Sequence, residues 1–180
     1  MVPERELTPS VRLRTLEAAD AAGLALAYRE NREHLAPWEP TRPDSFFTED
    51  GQREAVTHSL EDLERGAAMP LVLVEGQRVV GRVTLSSIVR GPFQNAHLGY
   101  WLALSHTGAG IMSRAVAAAV EIARDELGLH RIEAATLVHN ASSQHVLLRN
   151  GFVPYGIAPE YLRIAGQWQD HRLYQRILHD

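Results

Sequence analysis

Ser105-His-Thr-Gly108-Ala-Gly110-Ile-Met112 is the stretch on which the reading of the chain turns. Before it stands His97-Leu-Gly-Tyr-Trp-Leu-Ala-Leu104, rich in strand formers; after it, Ser113–Leu127 has helical spacing and nothing that breaks a helix. Two glycines therefore fall in a strand-to-helix turn. The first N–H groups of a helix lack partners and carry partial positive charge. With Gly on both sides of Ala109, no side chain keeps a ligand from that backbone. Such a turn suits a phosphate or pyrophosphate. A Gly-x-Gly pair alone also serves plain tight turns, so the surrounding chain has to decide.

A length of 180 residues suits one domain over 1–180, large enough to bury a core without staples. With no cysteine, disulfides, thiolate metal sites and a cysteine nucleophile are excluded. The nine histidines show no His-Glu-x-x-His or similar ligand spacing, and no metal is expected. A formal charge of −4 speaks against nucleic acid as a partner. There is no charged-then-apolar leader and no apolar run near the ~18 residues of a membrane span, so a soluble cytoplasmic protein is expected.

Val11–Leu16 alternates as a strand, and Glu17–Asn31 has helical spacing at Leu24, Ala27 and Tyr28. Residues 32–47 hold three prolines together with Trp38, Phe46 and Phe47. Trp38 and Phe47 either pin this loop on the core or wall a substrate pocket. Glu49–Gly66 reads as a helix, with Val56, Leu60 and Leu63 in a stripe. Leu71–Val74 and Val79–Leu85 read as a hairpin around Glu75-Gly-Gln77, and Ala96–Leu104 as the next strand. Met112, Val116, Ala119, Val120, Ala123 and Leu127 form the buried face of the long helix, which Gly128 ends. A strand over 131–138, a short helix over 140–149 and strands over 152–164 and 168–177 complete the order β-α-α-β-β-β-α-β-α-β-β. The implied architecture is an α/β (α+β) fold, a mixed and mostly antiparallel sheet of about seven strands with helices on both faces.

The glycine turn and the segments after it resemble the GNAT superfamily of acetyl-CoA-dependent N-acetyltransferases. That family's cofactor loop, Gln/Arg-x-x-Gly-x-Gly/Ala, reads here as Ser105-His-Thr-Gly108-Ala-Gly110; both glycines match and Ser105 replaces the leading side chain. Asn140-Ala-Ser-Ser143-Gln-His-Val-Leu-Leu-Arg149-Asn-Gly151-Phe152 is similar to a signature of the RimJ/RimL branch, which acetylates protein N-termini. Pro37-Trp38-Glu39-Pro40, Gly99-Tyr100 and the tail from Glu160 through Trp168 and Asp170 to His171 resemble the RimJ group as well.

The resemblance implies a sheet that parts between two parallel strands, with acetyl-CoA as cosubstrate lying in the gap. Trp101, Leu102 and Ala103 would meet the pantetheine through their main chain, and the amides of Gly108, Ala109, Gly110, Ile111 and Met112 would hold the pyrophosphate. Asn140 would bond the pantetheine or acetyl end, or else cap a helix, a task open also to Ser142. Many members place a protonating Tyr where this chain has Leu147, so Ser143 becomes the candidate acid; it is otherwise a helix-face serine. Glu160 is the candidate base, otherwise a surface carboxylate. Asp170, Trp38 and Tyr100 are assigned to the acceptor side. A neutral amine attacking directly in a ternary complex fits the lack of cysteine. The acceptor implied is a protein N-terminal amine, as on ribosomal proteins. An α-amine with pKa ~8 also needs less help losing a proton than Lys at ~10.4. A small-molecule amine and a non-catalytic acetyl-CoA sensor are the rival readings. Late strands of such sheets pair readily, which leaves a homodimer open.

Overall fold

The computed structural model describes residues 2–179. Its elements are β1 (Arg5–Glu6), β2 (Val11–Thr15), α1 (Ala21–Glu30), the single turn α2 (Arg32–Leu35), α3 (Glu49–Glu64), β3 (Met69–Glu75), β4 (Arg78–Val89) and β5 (Asn95–Leu102). There follow α4 (Ile111–Glu121), β6 (Arg131–Leu137), α5 (Ala141–Arg149), β7 (Val153–Ile164) and β8 (Gln167–Ile177). The strands form one sheet of eight, ordered β1-β2-β3-β4-β5-β6-β8-β7. The expected seven are all present. The eighth, β1, is a two-residue strand paired with β2 through Arg5↔Leu13, too short to leave an alternating pattern.

Every neighbouring pair is antiparallel except β5–β6. Those two strands are joined by α4, and a crossover helix is what a parallel connection needs. Side chains alternate across the sheet and fill two cores. On one face, Leu71, Leu73, Val83, Leu85, Ala96, Leu98 and Ile132 pack under the apolar stripe of α4 and under Leu147 of α5. On the other, Val72, Val74, Val79 and Trp101 meet Leu24, Ala27 and Tyr28 of α1 and Val56 of α3. The long helix starts two residues earlier than its periodicity suggests, because Gly110 rather than a side chain stands at its N-cap. It leaves α geometry at Ile122–Glu126 in a π-turn, closed by Leu127 N–H to Ile122 O at 3.0 Å, which carries Leu129 into the core. Among the described residues no helix is long and apolar enough to cross a membrane.

Candidate active site

The parallel pairing of β5 and β6 is short. It runs only through Asn95↔Arg131, Ala96↔Ile132 and His97↔Glu133, after which β5 continues to Leu102 and β6 to Leu137 without pairing. Glu133 clasps the joined end, accepting from Asn95 Nδ2 at 2.7 Å, Arg131 Nη2 at 2.6 Å and Tyr155 Oη at 2.7 Å. Burial works against its charge, yet the bonds from Tyr155 and Asn95 and the Arg131 cation hold its carboxyl below the ordinary range. Beyond the clasp, the sheet opens into a gap.

Which main-chain groups of β5 face that gap follows from strand alternation. Ala103 N–H donates to Val80 O at 2.8 Å, so it points to β4. Two residues back, Trp101 must point the same way; a Cβ built on Gly81 of β4 would stand 2.7 Å from the Trp101 carbonyl oxygen. Leu102 and Tyr100 are therefore the residues whose N–H and C=O are turned toward the gap. Of Trp101, Leu102 and Ala103, expected to offer their main chain to a ligand, only Leu102 has it free toward the gap, joined by Tyr100, since Trp101 and Ala103 are committed to β4. The Trp101 side chain is buried on the α1 face, its Nε1 donating to Tyr28 Oη at 2.8 Å.

Past Leu102 the chain makes one 3₁₀ turn and reaches the glycines. Gly108 and Gly110 have φ of +79° and +71°, and a Cβ at either would meet nothing within 4 Å. Open space above left-handed backbone is what lets a ligand approach the main chain. Gly110 caps α4 without any side-chain acceptor, and Arg114 N–H makes its bond to Gly110 O at 3.2 Å. Ahead of it, the amides of Ile111, Met112 and Ser113 have no partner inside the helix, while the Ile111 and Met112 side chains are buried. Three or more N–H groups and a helix dipole thus point at one exposed spot, which fits a pyrophosphate.

The N-terminus of α5 faces the same gap. Asn140 is the cap, its Oδ1 accepting from Ser143 N–H at 3.1 Å. This corrects the reading that would leave the cap to Ser142: Asn140 Oδ1 takes the capping bond, and its Nδ2 is the donor left for a ligand. Ser143 Oγ lies 2.8 Å from Tyr100 Oη, which also donates to Ser143 O at 3.1 Å. Burial pushes the Tyr100 phenol up to about 12, so it stays protonated at any working pH. Nothing in the sequence signals this pairing of β5 with α5. Leu147, at the position where the resemblance would put a tyrosine, is fully buried in the core.

On the α1 face, the loop after α2 borders the opening. Trp38 is 39% exposed and does not pin the loop on the core; its ring leans on His139, centroids 5.7 Å apart, beside Asn140. Phe46 and Phe47 do the pinning, both packed on the α1-side core, Phe46 4.8 Å from the Tyr28 ring and Phe47 half-buried under the Arg32 guanidinium. Glu39 O accepts from Ala165 N–H at 3.0 Å, tying the loop to the β7–β8 turn. Glu160 is exposed in an irregular stretch of β7 with φ of +46°, and its N–H donates to Asp170 Oδ1 at 2.9 Å. Asp170 thus braces the bend in β7.

Residues 10–153 match the model of the acetyltransferase (GNAT) domain. The chain belongs to the GNAT acetyltransferase family. It is 35% identical to the [ribosomal protein uS5]-alanine N-acetyltransferase of Escherichia coli, across 94% of this chain and 92% of the relative. A crystal structure of the ribosomal-protein-S5-alanine acetyltransferase from Vibrio fischeri superposes with a TM-score of 0.94 at 36% identity, covering 99% of this chain and 98% of that one. RimJ of Mycobacterium smegmatis, solved in complex with CoA-disulfide, gives a TM-score of 0.89 at 30% identity, covering 93% and 81%. The parted β5–β6 pair and the glycine-capped helix therefore belong to an acetyl-CoA-dependent N-acetyltransferase.

Proposed function

We propose that the acceptor of this GNAT enzyme is the N-terminal α-amine of a protein, of the kind that ribosomal proteins present. The observation that carries this reading is the agreement, over nearly the whole chain, with relatives named for that reaction. The site supports it. Acetyl-CoA would supply an activated thioester, with its pyrophosphate on the amides that open α4 and its pantetheine along Leu102. The Leu102 N–H, turned into the gap, is then the candidate donor to the thioester carbonyl oxygen, where negative charge develops during attack. Tyr100 and Ser143 would return a proton to the leaving sulfur. As Ser143 Oγ passes its hydrogen to the sulfur it takes one from the attacking nitrogen by way of water, while the Tyr100 hydroxyl, which stays protonated, holds Oγ in position. A thiol of pKa about 8.5 needs no stronger acid. We take the Asn140 Nδ2 as a further ligand to the pantetheine. Trp38 and Asp170, on the rim and on the β7 brace, stand on the acceptor side.

The deciding experiment measures thiol release from acetyl-CoA with peptides beginning in Ala or Ser, the same peptides N-acetylated, lysine-only peptides, polyamines and amino sugars. Free-N-terminus peptides should be turned over fastest and the blocked ones not at all. Faster turnover of a small amine would overturn the acceptor; CoA binding without turnover of any amine would leave a sensor.

A further inference from the structure

Glu39 hangs from the loop that borders the gap on the α1 face. Its side chain is half-buried, and among the described residues no hydrogen bond or ion pair reaches the carboxylate. This sets it apart from the other shielded acids. Asp20 is held by Arg14 at 2.7 Å, and Glu133 by three donors. The charged and titratable groups facing Glu39 are Arg42 on its own loop, Arg82 on β4 and Tyr28 on α1. Neither arginine closes on it. Arg82 spends Nη2 on Ser59 of α3 at 2.8 Å and keeps a buried Nε without a partner.

The place of this carboxylate is what gives it meaning. Arg82 is the register partner of Trp101, the residue next to Leu102, so Glu39 faces the α1 side of the sheet near the open end of β5. Tyr100 and Ser143 line the opposite face, under α4 and α5. The loop carrying Glu39 is anchored on both sides of the opening, by Ala165 N–H on its carbonyl and by the Trp38 ring on His139. The backbone that carries this unpaired carboxylate is thus tied to the elements around the opening, on the side of the sheet away from Tyr100 and Ser143.

We propose that Glu39, rather than Glu160, is the acceptor-side carboxylate: it receives the incoming ammonium and takes its proton. This rests on the acetyl-transfer reading of the site, and it names the group that frees the amine. The ammonium gives one proton to the Glu39 carboxylate, the neutral nitrogen forms its bond to the acetyl carbon, and the carbon–sulfur bond breaks. The second nitrogen proton ends on the sulfur by way of Ser143 and water, and Glu39 returns its proton to solvent. Burial raises the Glu39 carboxyl above the ordinary range, more than Arg42 and Arg82 pull it down, which strengthens it as a base. Glu160 is exposed and lacks that shelter.

The test compares Glu39→Gln, Glu39→Asp and Glu160→Gln with the wild type on an Ala-starting peptide. In E39Q, kcat/KM should fall about 100-fold or more, the size of a lost general base. The acidic limb of its pH profile should vanish, because activity requires the deprotonated carboxylate and is lost as pH falls through its raised pKa. E39D should retain activity within about tenfold, and E160Q should lose far less than E39Q. Calorimetry on the CoA complex supplies the second readout. The wild type should prefer the free-amine peptide over its N-acetylated form, and E39Q should lose that preference while binding CoA as before. An E39Q enzyme within threefold of the wild type, or one that keeps the amine preference, overturns the proposal. If the wild type uses a different amine, the same comparison on that amine judges Glu39 while the N-terminal acceptor fails separately.

Discussion

Gly81 lies on β4 opposite Leu102, and replacing it with Ala tests whether the position of one β5 amide governs the chemistry. The added Cβ would stand 2.7 Å from Trp101 O, 3.2 Å from Leu102 Cδ1 and 3.5 Å from Leu102 Cα. Ordinary contact begins near 3.4 Å, so β5 must yield by about 0.7 Å. The nearest obstacle is backbone, which cannot rotate aside as a side chain would. Overpacking of this kind costs about 1–3 kcal/mol, and a chain of this size loses roughly 2–4 °C of Tm per kcal/mol. The larger effect falls on the rate. A misplacement near 1 Å can cost about 100-fold, so 0.7 Å at the Leu102 N–H should lower kcat about ten- to thirtyfold. The CoA Kd should change less than about threefold, because the phosphate-binding amides sit on α4 beyond the turn. Thiol-release kinetics at saturating acetyl-CoA, calorimetry with CoA and a thermal melt read the three quantities. Wild-type kcat in G81A would refute the placement of Leu102 at the reacting carbonyl. Loss of CoA affinity equal to the loss of rate would show instead that the whole sheet had shifted.

Gly110→Val combines a φ of +71° with a side chain over the α4 amides, and should weaken CoA binding at least about thirtyfold by calorimetry, since blocked amides cannot reach phosphate. Asn140→Ser preserves a capping oxygen but removes Nδ2. Unchanged CoA affinity with unchanged melting would make Asn140 a cap only, whereas Asn140→Ala should cost about 1 kcal/mol of stability as well. Tyr100→Phe removes the bond to Ser143, and kcat should drop to the level of Ser143→Ala, with the double variant no worse. Tyr100 also leaves a mark on stability. Its folded pKa of about 12 exceeds the usual 10.0, so the folded state holds that proton more tightly and stability is lost as pH rises from near 10 through about 12. Alkaline denaturation of Y100F should lack that step.

Most of the fold is legible locally. The alternation in Val79–Leu85, the apolar stripe from Met112 to Ala123 and the glycine stop at 128 each report a one-sided burial that neighbouring residues share. The glycine turn is legible for the same reason, since strand, Gly108, Gly110 and helix follow one another along eight or so residues of chain. Even the cap at Asn140 has a local pattern, although Ser142 offers the same chemistry and only the folded helix start selects between them.

The arrangement of the reaction centre is a different matter. Leu102 faces the gap, and Trp101 and Ala103 do not, because of how β5 pairs with β4, whose hydrogen bonds come from residues some twenty positions earlier. Tyr100 meets Ser143 across 43 residues, and Glu39 is tied to Ala165 across the molecule. Such contacts depend on strand register and on where two strands stop pairing. Neither quantity is stored in any short stretch of residues; both emerge when distant segments pack against one another. Side-chain periodicity therefore announces the sheet and the anion-binding turn, while only the assembled sheet decides which amide, hydroxyl and carboxylate stand at its opening.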